Sequence, residues 1–106
     1  MKQAKTILLT GASSGIGLEM AKILAARNHR LVLVSRSSDR LEDVATELRR
    51  TTSAEVSTFA VDLSAQEAAE HLIEFCEAKQ FQIDILINNG GVSMRESFKD
   101  MKLEVC

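Results

Sequence analysis

No tyrosine, no tryptophan and no proline occurs among the 106 residues of this sequence. Cysteine and histidine are almost as scarce: Cys76, Cys106, His29 and His71 are the full set. They fall at no metal-ligand spacing, so nothing points to a zinc-type site. Neither histidine has a Ser or Cys partner at a meaningful spacing, so neither reads as catalytic. Positive charge is not in excess: 13 Lys and Arg against 15 Asp and Glu leave a net charge of -2. That balance argues against a basic nucleic-acid surface. No apolar run approaches the ~18 residues of a membrane span. The opening "MKQAKTILLTGA" carries too short an apolar stretch for an export signal. The expected setting is therefore cytoplasmic and reducing, with both cysteines as free thiols. Cys76 falls on an apolar helix face, where a free thiol acts as a small hydrophobe.

Apolar residues make up 45% and charged residues 26%, the balance of a globular domain. The length suits one domain over residues 1–106. Strand and helix signals alternate with short gaps and without repeats or a linker. "KTILLT" (5–10), "RLVLVS" (30–35), "EVSTFAV" (55–61) and "QIDILIN" (82–88) read as strands, the third polar enough for an edge. "GIGLEMAKILAARN" (15–28) has Ile16, Met20, Ile23 and Leu24 at helical spacing and Asn28 as a stop. "SDRLEDVATELRR" (38–50) places Leu41, Val44, Ala45 and Leu48 on one face and ends in two arginines, which suit the negative end of a helix dipole. "SAQE" (64–67) reads as a capping box, with Ser64 as N-cap and Glu67 reaching back. The helix after it would bury Ala69, Leu72, Ile73 and Cys76. The last stretch, "GGVSMRESFKDMKLEVC", has no clear period.

Such alternation implies right-handed βαβ units and a parallel sheet. "TILL", "LVLV" and "ILI" are apolar on both faces, as strands covered by helices on both sides must be. The expected class is α/β, a Rossmann-type parallel sheet in the order 3-2-1-4. The glycine-rich "TGASSGIG" (10–17) then stands between a strand and a helix. A helix N-terminus offers free N–H groups and positive potential, and glycines let a pyrophosphate come close. A tight turn with close helix–strand packing would use the same residues.

"TGASSGIG" after the first strand, "DL" (62–63) after the third and "NNGG" (88–91) after the fourth resemble the short-chain dehydrogenase/reductase family. The family's usual form of the last motif is N-N-A-G, and Gly90 stands in place of the Ala. The resemblance spans the whole chain but only the first part of a family member. It implies an NAD(P)-binding domain, partial relative to the family, whose catalytic half is absent. Gly11, Ser13, Ser14, Gly15, Ile16 and Gly17 would wrap the pyrophosphate and adjoining ribose. Asp62 and Leu63 would sit at the adenine, the carboxylate accepting from its amino group. Asn88, Asn89, Gly90 and Gly91 would shape the crevice floor. Asp62 could equally start the turn into the third helix, and "NNGG" could be a hairpin turn.

The end of the second strand discriminates between dinucleotides. NAD binders usually place a carboxylate there, on the ribose 2′-OH. Here Ser35 takes that slot and Arg36 follows, with Ser37 able to donate a further bond. A guanidinium makes forked, charge-assisted bonds to a 2′-phosphate, so NADP(H) is expected over NAD(H). Ser14 occupies the family's other site for a basic residue, which leaves Arg36 without help there. Family members use a Tyr acid/base with a Lys four residues on, and this sequence has no Tyr. Phe98 and Lys102 share that spacing, but Phe98 lacks a hydroxyl and reads as part of a loop or surface turn. No catalytic residue is assigned. Three readings stay open: part of an NADP-dependent oxidoreductase acting on a small carbonyl or alcohol, a non-catalytic NADP-binding module, and an interaction module. The last would pair, or form a homo-oligomer, through an open edge on the fourth strand.

Overall fold

The computed structural model describes residues 3–106. Its elements in chain order are β1 (Thr6–Thr10), α1 (Gly15–Ala26), β2 (Arg30–Ser35), α2 (Ser38–Thr51), β3 (Val56–Ala60), α3 (Ala68–Ala78), β4 (Ile85–Ile87) and β5 (Glu104–Val105). The strands form one sheet in the order β3-β2-β1-β4-β5, with every neighbouring pair parallel. The expected Rossmann-type order is therefore present, with a fifth strand beyond it.

Alternation along the central strands divides the core between two faces. Ile7, Leu9, Leu31 and Leu33 point to one face, where α1 and α2 cover them with Ala21, Ala25, Leu41, Ala45 and Leu48. Leu8, Val32, Val34 and Leu86 point to the other, with Leu72 and Cys76 of α3. Phe75 of α3 stacks on Phe59 at 4.6 Å and meets Phe81 edge-on at 6.1 Å. Arg49, in the last turn of α2, donates from Nε and Nη2 to the Val56 carbonyl at 3.1 and 2.6 Å, tying that helix to β3.

Three readings of the sequence need correction. On α1 the packing face is Gly17, Ala21 and Ala25, flanked by half-buried Met20 and Leu24. Ile16 and Ile23 lie outside, 73% and 53% exposed. A helix seated close on a sheet selects small residues, which a search for bulky apolar spacing overlooks. Ser64 is not an N-cap: its hydroxyl and its N–H both donate to Asp62 Oδ1, at 2.6 and 2.9 Å. The helix begins three residues later than the box implies, with Glu67 at a left-handed φ of 66° as its N-cap and no side-chain cap bond.

The third correction concerns the tail and the edge. Phe98 is completely buried and Met94 nearly so, both in the cluster with Leu8 and Leu86. Beyond them β5 pairs with β4, Ile85 opposite Glu104 and Leu86 opposite Val105. Cys106 continues the pairing, its N–H donating to Leu86 O at 2.7 Å and its carbonyl accepting from Asn88 N at 2.9 Å. The fourth strand is thus not an open edge, and association through it loses its basis. Phe98 is the largest fully buried side chain. Phe98→Ala should therefore destabilise the chain by about 3–5 kcal/mol, read as a lower midpoint in urea. An unchanged midpoint would mean that residues 94–105 do not belong to the core.

Candidate functional site

One open cleft of about 610 Å³ lies at the C-terminal ends of β1, β2, β3 and β4, where the first three strands turn toward helices and the fourth enters the loop to β5. Gly11, Ser13 and Ser14 line it from the first turn, Ser35, Arg36 and Ser37 from the second, Asp62 and Leu63 from the third, and Asn89, Gly90 and Gly91 from the fourth. Four segments far apart in sequence meet because parallel strands all deliver their turns to the same end of the sheet.

The three glycines of the first turn have separate geometries. Gly11 has a φ of 65°, and a Cβ on it would sit 2.9 Å from the Asn89 carbonyl oxygen. A Cβ on Gly17 would lie 2.0 Å from the Gly11 carbonyl oxygen, so the packing reading holds for this glycine. Gly15 shares the left-handed backbone of Gly11, with a φ of 57°, but a Cβ there would meet nothing within 4 Å. Close packing does not require Gly15, and the space in front of it is free. Ser14 is the N-cap of α1 but makes no side-chain cap bond, so the first-turn N–H groups of this helix lack the usual side-chain acceptor.

The last turn is held by a residue that the sequence reading passed over. Thr10, completely buried, accepts at Oγ1 from Asn89 N and Gly90 N, both at 2.9 Å, and donates to Asn88 Oδ1 at 3.2 Å. Asn89 Nδ2 donates to the Gly11 carbonyl at 3.3 Å. "NNGG" is therefore no hairpin turn but a clasp on the glycine loop. A Cβ on Gly90 would come 3.2 Å from Thr10 Oγ1, tighter than an ordinary contact.

On the opposite wall, Ser35 is buried and its Oγ accepts from Ser37 N at 3.2 Å. Ser37 caps α2, its Oγ accepting from Arg40 N at 3.4 Å. Asp62 does start the turn toward α3, with Ser64 on Oδ1, while Oδ2 makes no hydrogen bond among the described residues. The Ser64 hydroxyl, then its N–H, and to a smaller degree the charge of Arg36 hold the Asp62 carboxyl below its ordinary value. It is ionised at neutral pH.

Gly15, Ile16, Gly17 and Asn88 do not line the cleft, although the sequence reading includes them. Gly17 and Asn88 act beneath its surface through Gly11 and Thr10. Val34, Arg40, Val61, Ser64 and Val92 also line it, though the sequence motifs assign none of them to a binding site. Arg40 carried a legible signal, a cation in the first turn of a helix, where the dipole disfavours it.

A family model described as short chain dehydrogenase matches residues 5–106. The chain belongs to this family. An uncharacterized oxidoreductase of Staphylococcus saprophyticus is 36% identical over 102 residues, covering 96% of this chain and 44% of the relative. A fatty acyl-CoA reductase of Acinetobacter baylyi is 38% identical over 95 residues, covering 90% and 32%. The chain therefore spans less than half the length of these short-chain dehydrogenase relatives. Among solved structures, L-sorbose reductase from Gluconobacter frateurii, complexed with NADPH and L-sorbose, superposes with a TM-score of 0.78 at 36% identity. That match covers 85% of this chain and 34% of the reductase. An alcohol dehydrogenase from the archaeon Thermococcus sibiricus, complexed with 5-hydroxy-NADP, gives 0.75 at 34% identity, covering 80% and 36%.

Thr10→Val should leave the N–H groups of Asn89 and Gly90 without their acceptor, at a cost of about 1–3 kcal/mol, whereas Thr10→Ser should keep most of the stability. Equal urea midpoints for the Val variant and the parent would show that the clasp contributes nothing.

Proposed function

We propose that this chain is the NADP(H)-binding portion of a short-chain dehydrogenase/reductase that interconverts small carbonyls and alcohols. The observation that carries the reading is the free space at Gly15 beside the uncapped start of α1. It is room for a diphosphate where backbone donors and the positive helix end already point. Ser13 and Ser14 line the cleft immediately before Gly15 in the chain and would complete the diphosphate and ribose contacts. Exposed Ile16 would add apolar contact at its mouth.

The other walls suit the remaining parts of the cofactor. Leu63 and Val61 offer apolar surface to an adenine, and the free Oδ2 of Asp62 can accept from its amino group. Ser35 puts no carboxylate where a ribose 2′ group would lie, and Arg36 and Ser37 offer donors there. Those features support NADP(H) over NAD(H), and the NADPH in the sorbose reductase complex agrees with them. Asn89, Gly90 and Gly91 would form the floor beside the nicotinamide. When bound, such a cofactor supplies hydride transfer. The residues of this chain bind and orient it. A carbonyl substrate also needs a positioned proton donor, and no tyrosine is available in this sequence to act as one.

Arg36→Ala should weaken NADPH binding about tenfold and leave NADH nearly unchanged. An exposed guanidinium belongs at the low end of the ~1.5–3 kcal/mol of a charge-assisted bond. Equal losses for the two cofactors, measured by fluorescence titration, would refute the 2′-phosphate contact. Gly15→Asn, a residue that tolerates the left-handed φ of 57° at this position, should abolish NADPH binding while the far-ultraviolet circular dichroism keeps its α/β form, because its Cβ would meet no protein atom within 4 Å and its side chain would enter the space for the diphosphate. Normal NADPH affinity in this variant would show that the free space is not a binding site.

A further inference from the structure

We propose that Ser64 is a positioning residue for base selection: its hydroxyl holds one oxygen of Asp62 so that the other meets the amino group of an adenine and turns away a base with a carbonyl oxygen there. The inference rests on the adenine contact proposed above. Ser64 lines the cleft beside Asp62 and Leu63. Its hydroxyl has no part in starting α3, where Glu67 is the N-cap. Nor does the turn out of β3 need it. The Ala65 N–H closes that turn on the Asp62 carbonyl at 2.9 Å, and the Ser64 N–H reaches Asp62 Oδ1 at 2.9 Å. The hydroxyl adds a further bond to the same Oδ1, at 2.6 Å.

That extra bond decides how the carboxylate stands. Two donors from one residue on one oxygen oppose rotation of the group. They leave Oδ2 without a hydrogen bond among the described residues. The competing partner for Oδ2 is Arg36, which lines the same cleft. Its charge reaches Asp62, yet no ion pair joins the two among the described residues. A carboxylate free to turn would be drawn to that guanidinium, and its acceptor would be lost to a ligand. The hydroxyl bond is also the main cause that holds the Asp62 carboxyl below its ordinary value. An ionised carboxylate only accepts, which suits an amino group. A carbonyl oxygen in its place would set acceptor against acceptor.

The test is a fluorescence titration of the chain and its Ser64→Ala, Ser64→Thr and Asp62→Asn variants with NADPH and with its hypoxanthine analogue, in which a carbonyl oxygen replaces the amino group of the base. The parent should prefer NADPH about 3- to 10-fold, as one exposed hydrogen bond to a charged group allows. Ser64→Ala should bring that preference below about twofold through weaker NADPH binding alone. Ser64→Thr, which keeps the hydroxyl, should retain the parent's preference, and Asp62→Asn should lose it. If Ser64→Ala keeps the preference while Asp62→Asn loses it, the role of Ser64 is overturned and the adenine contact of Asp62 stands. Equal losses of both ligands in Ser64→Ala would make the residue merely structural and overturn the inference, as would a Ser64→Thr variant no more selective than Ser64→Ala. A parent without preference, or an Asp62→Asn variant that keeps it, overturns the adenine contact and this inference together. A parent that binds neither ligand overturns the NADP(H) reading as well.

Discussion

Helix α1 rests directly on the backbone of the loop that precedes it, and Gly17 is what permits this. Any side chain at that position would begin 2.0 Å from the Gly11 carbonyl oxygen and 2.6 Å from Asn89 Nδ2. The contact brings the start of the helix down to the C-terminal ends of β1 and β4. With α1 placed so, Asn89 can bridge to Gly11, and Thr10 can gather the N–H groups of Asn89 and Gly90. The positive end of the helix then faces a cleft whose walls are four turns from four strands. A helix displaced by even one methyl group would lose this joint and aim its dipole elsewhere.

Charge is distributed in the cleft so that one wall can accept an anion without losing its acid. Asp62 accepts twice from Ser64, and chiefly the hydroxyl bond holds its carboxyl below the ordinary carboxylate value. Neither Arg36 nor Arg40 forms an ion pair with it among the described residues. The two cysteines take no part. Burial among the apolar residues of α3 pushes the Cys76 thiol up to about 11, so it is protonated at neutral pH and serves as packing. Cys106 lies exposed beyond β5, its thiol beside Glu104.

The fold was legible wherever one-dimensional pattern and three-dimensional packing share a cause. Runs apolar on both faces announce buried parallel strands, and the sheet order follows from short crossovers. Leu41, Ala45 and Leu48 pack where their spacing places them. Elsewhere the cause was not periodic. The face of α1 is defined by smallness at Gly17, Ala21 and Ala25, so the bulky Ile16 and Ile23 misdirect the eye. Met94, Phe98 and the two residues of β5 are held by single insertions and edge pairing, which leave no repeat to detect. Ser64 looks like a cap because S-x-x-E is a local pattern, but a carboxylate two residues earlier competes for its hydroxyl. In the site, the residues that touch the cleft were mostly visible as motifs. Thr10 was not, since its partners lie 78 to 80 residues further on.

The central claim is that the glycine turn, the second-strand turn and the "NNGG" clasp form one dinucleotide cradle. Backbone amide shifts of the nitrogen-15-labelled chain titrated with NADPH test it directly. The account predicts the largest shifts at residues 11–17, 35–37 and 89–91, titrating together with one affinity. Shifts confined to other surfaces, such as the groove between α1 and α2, or none at saturating NADPH, would contradict it.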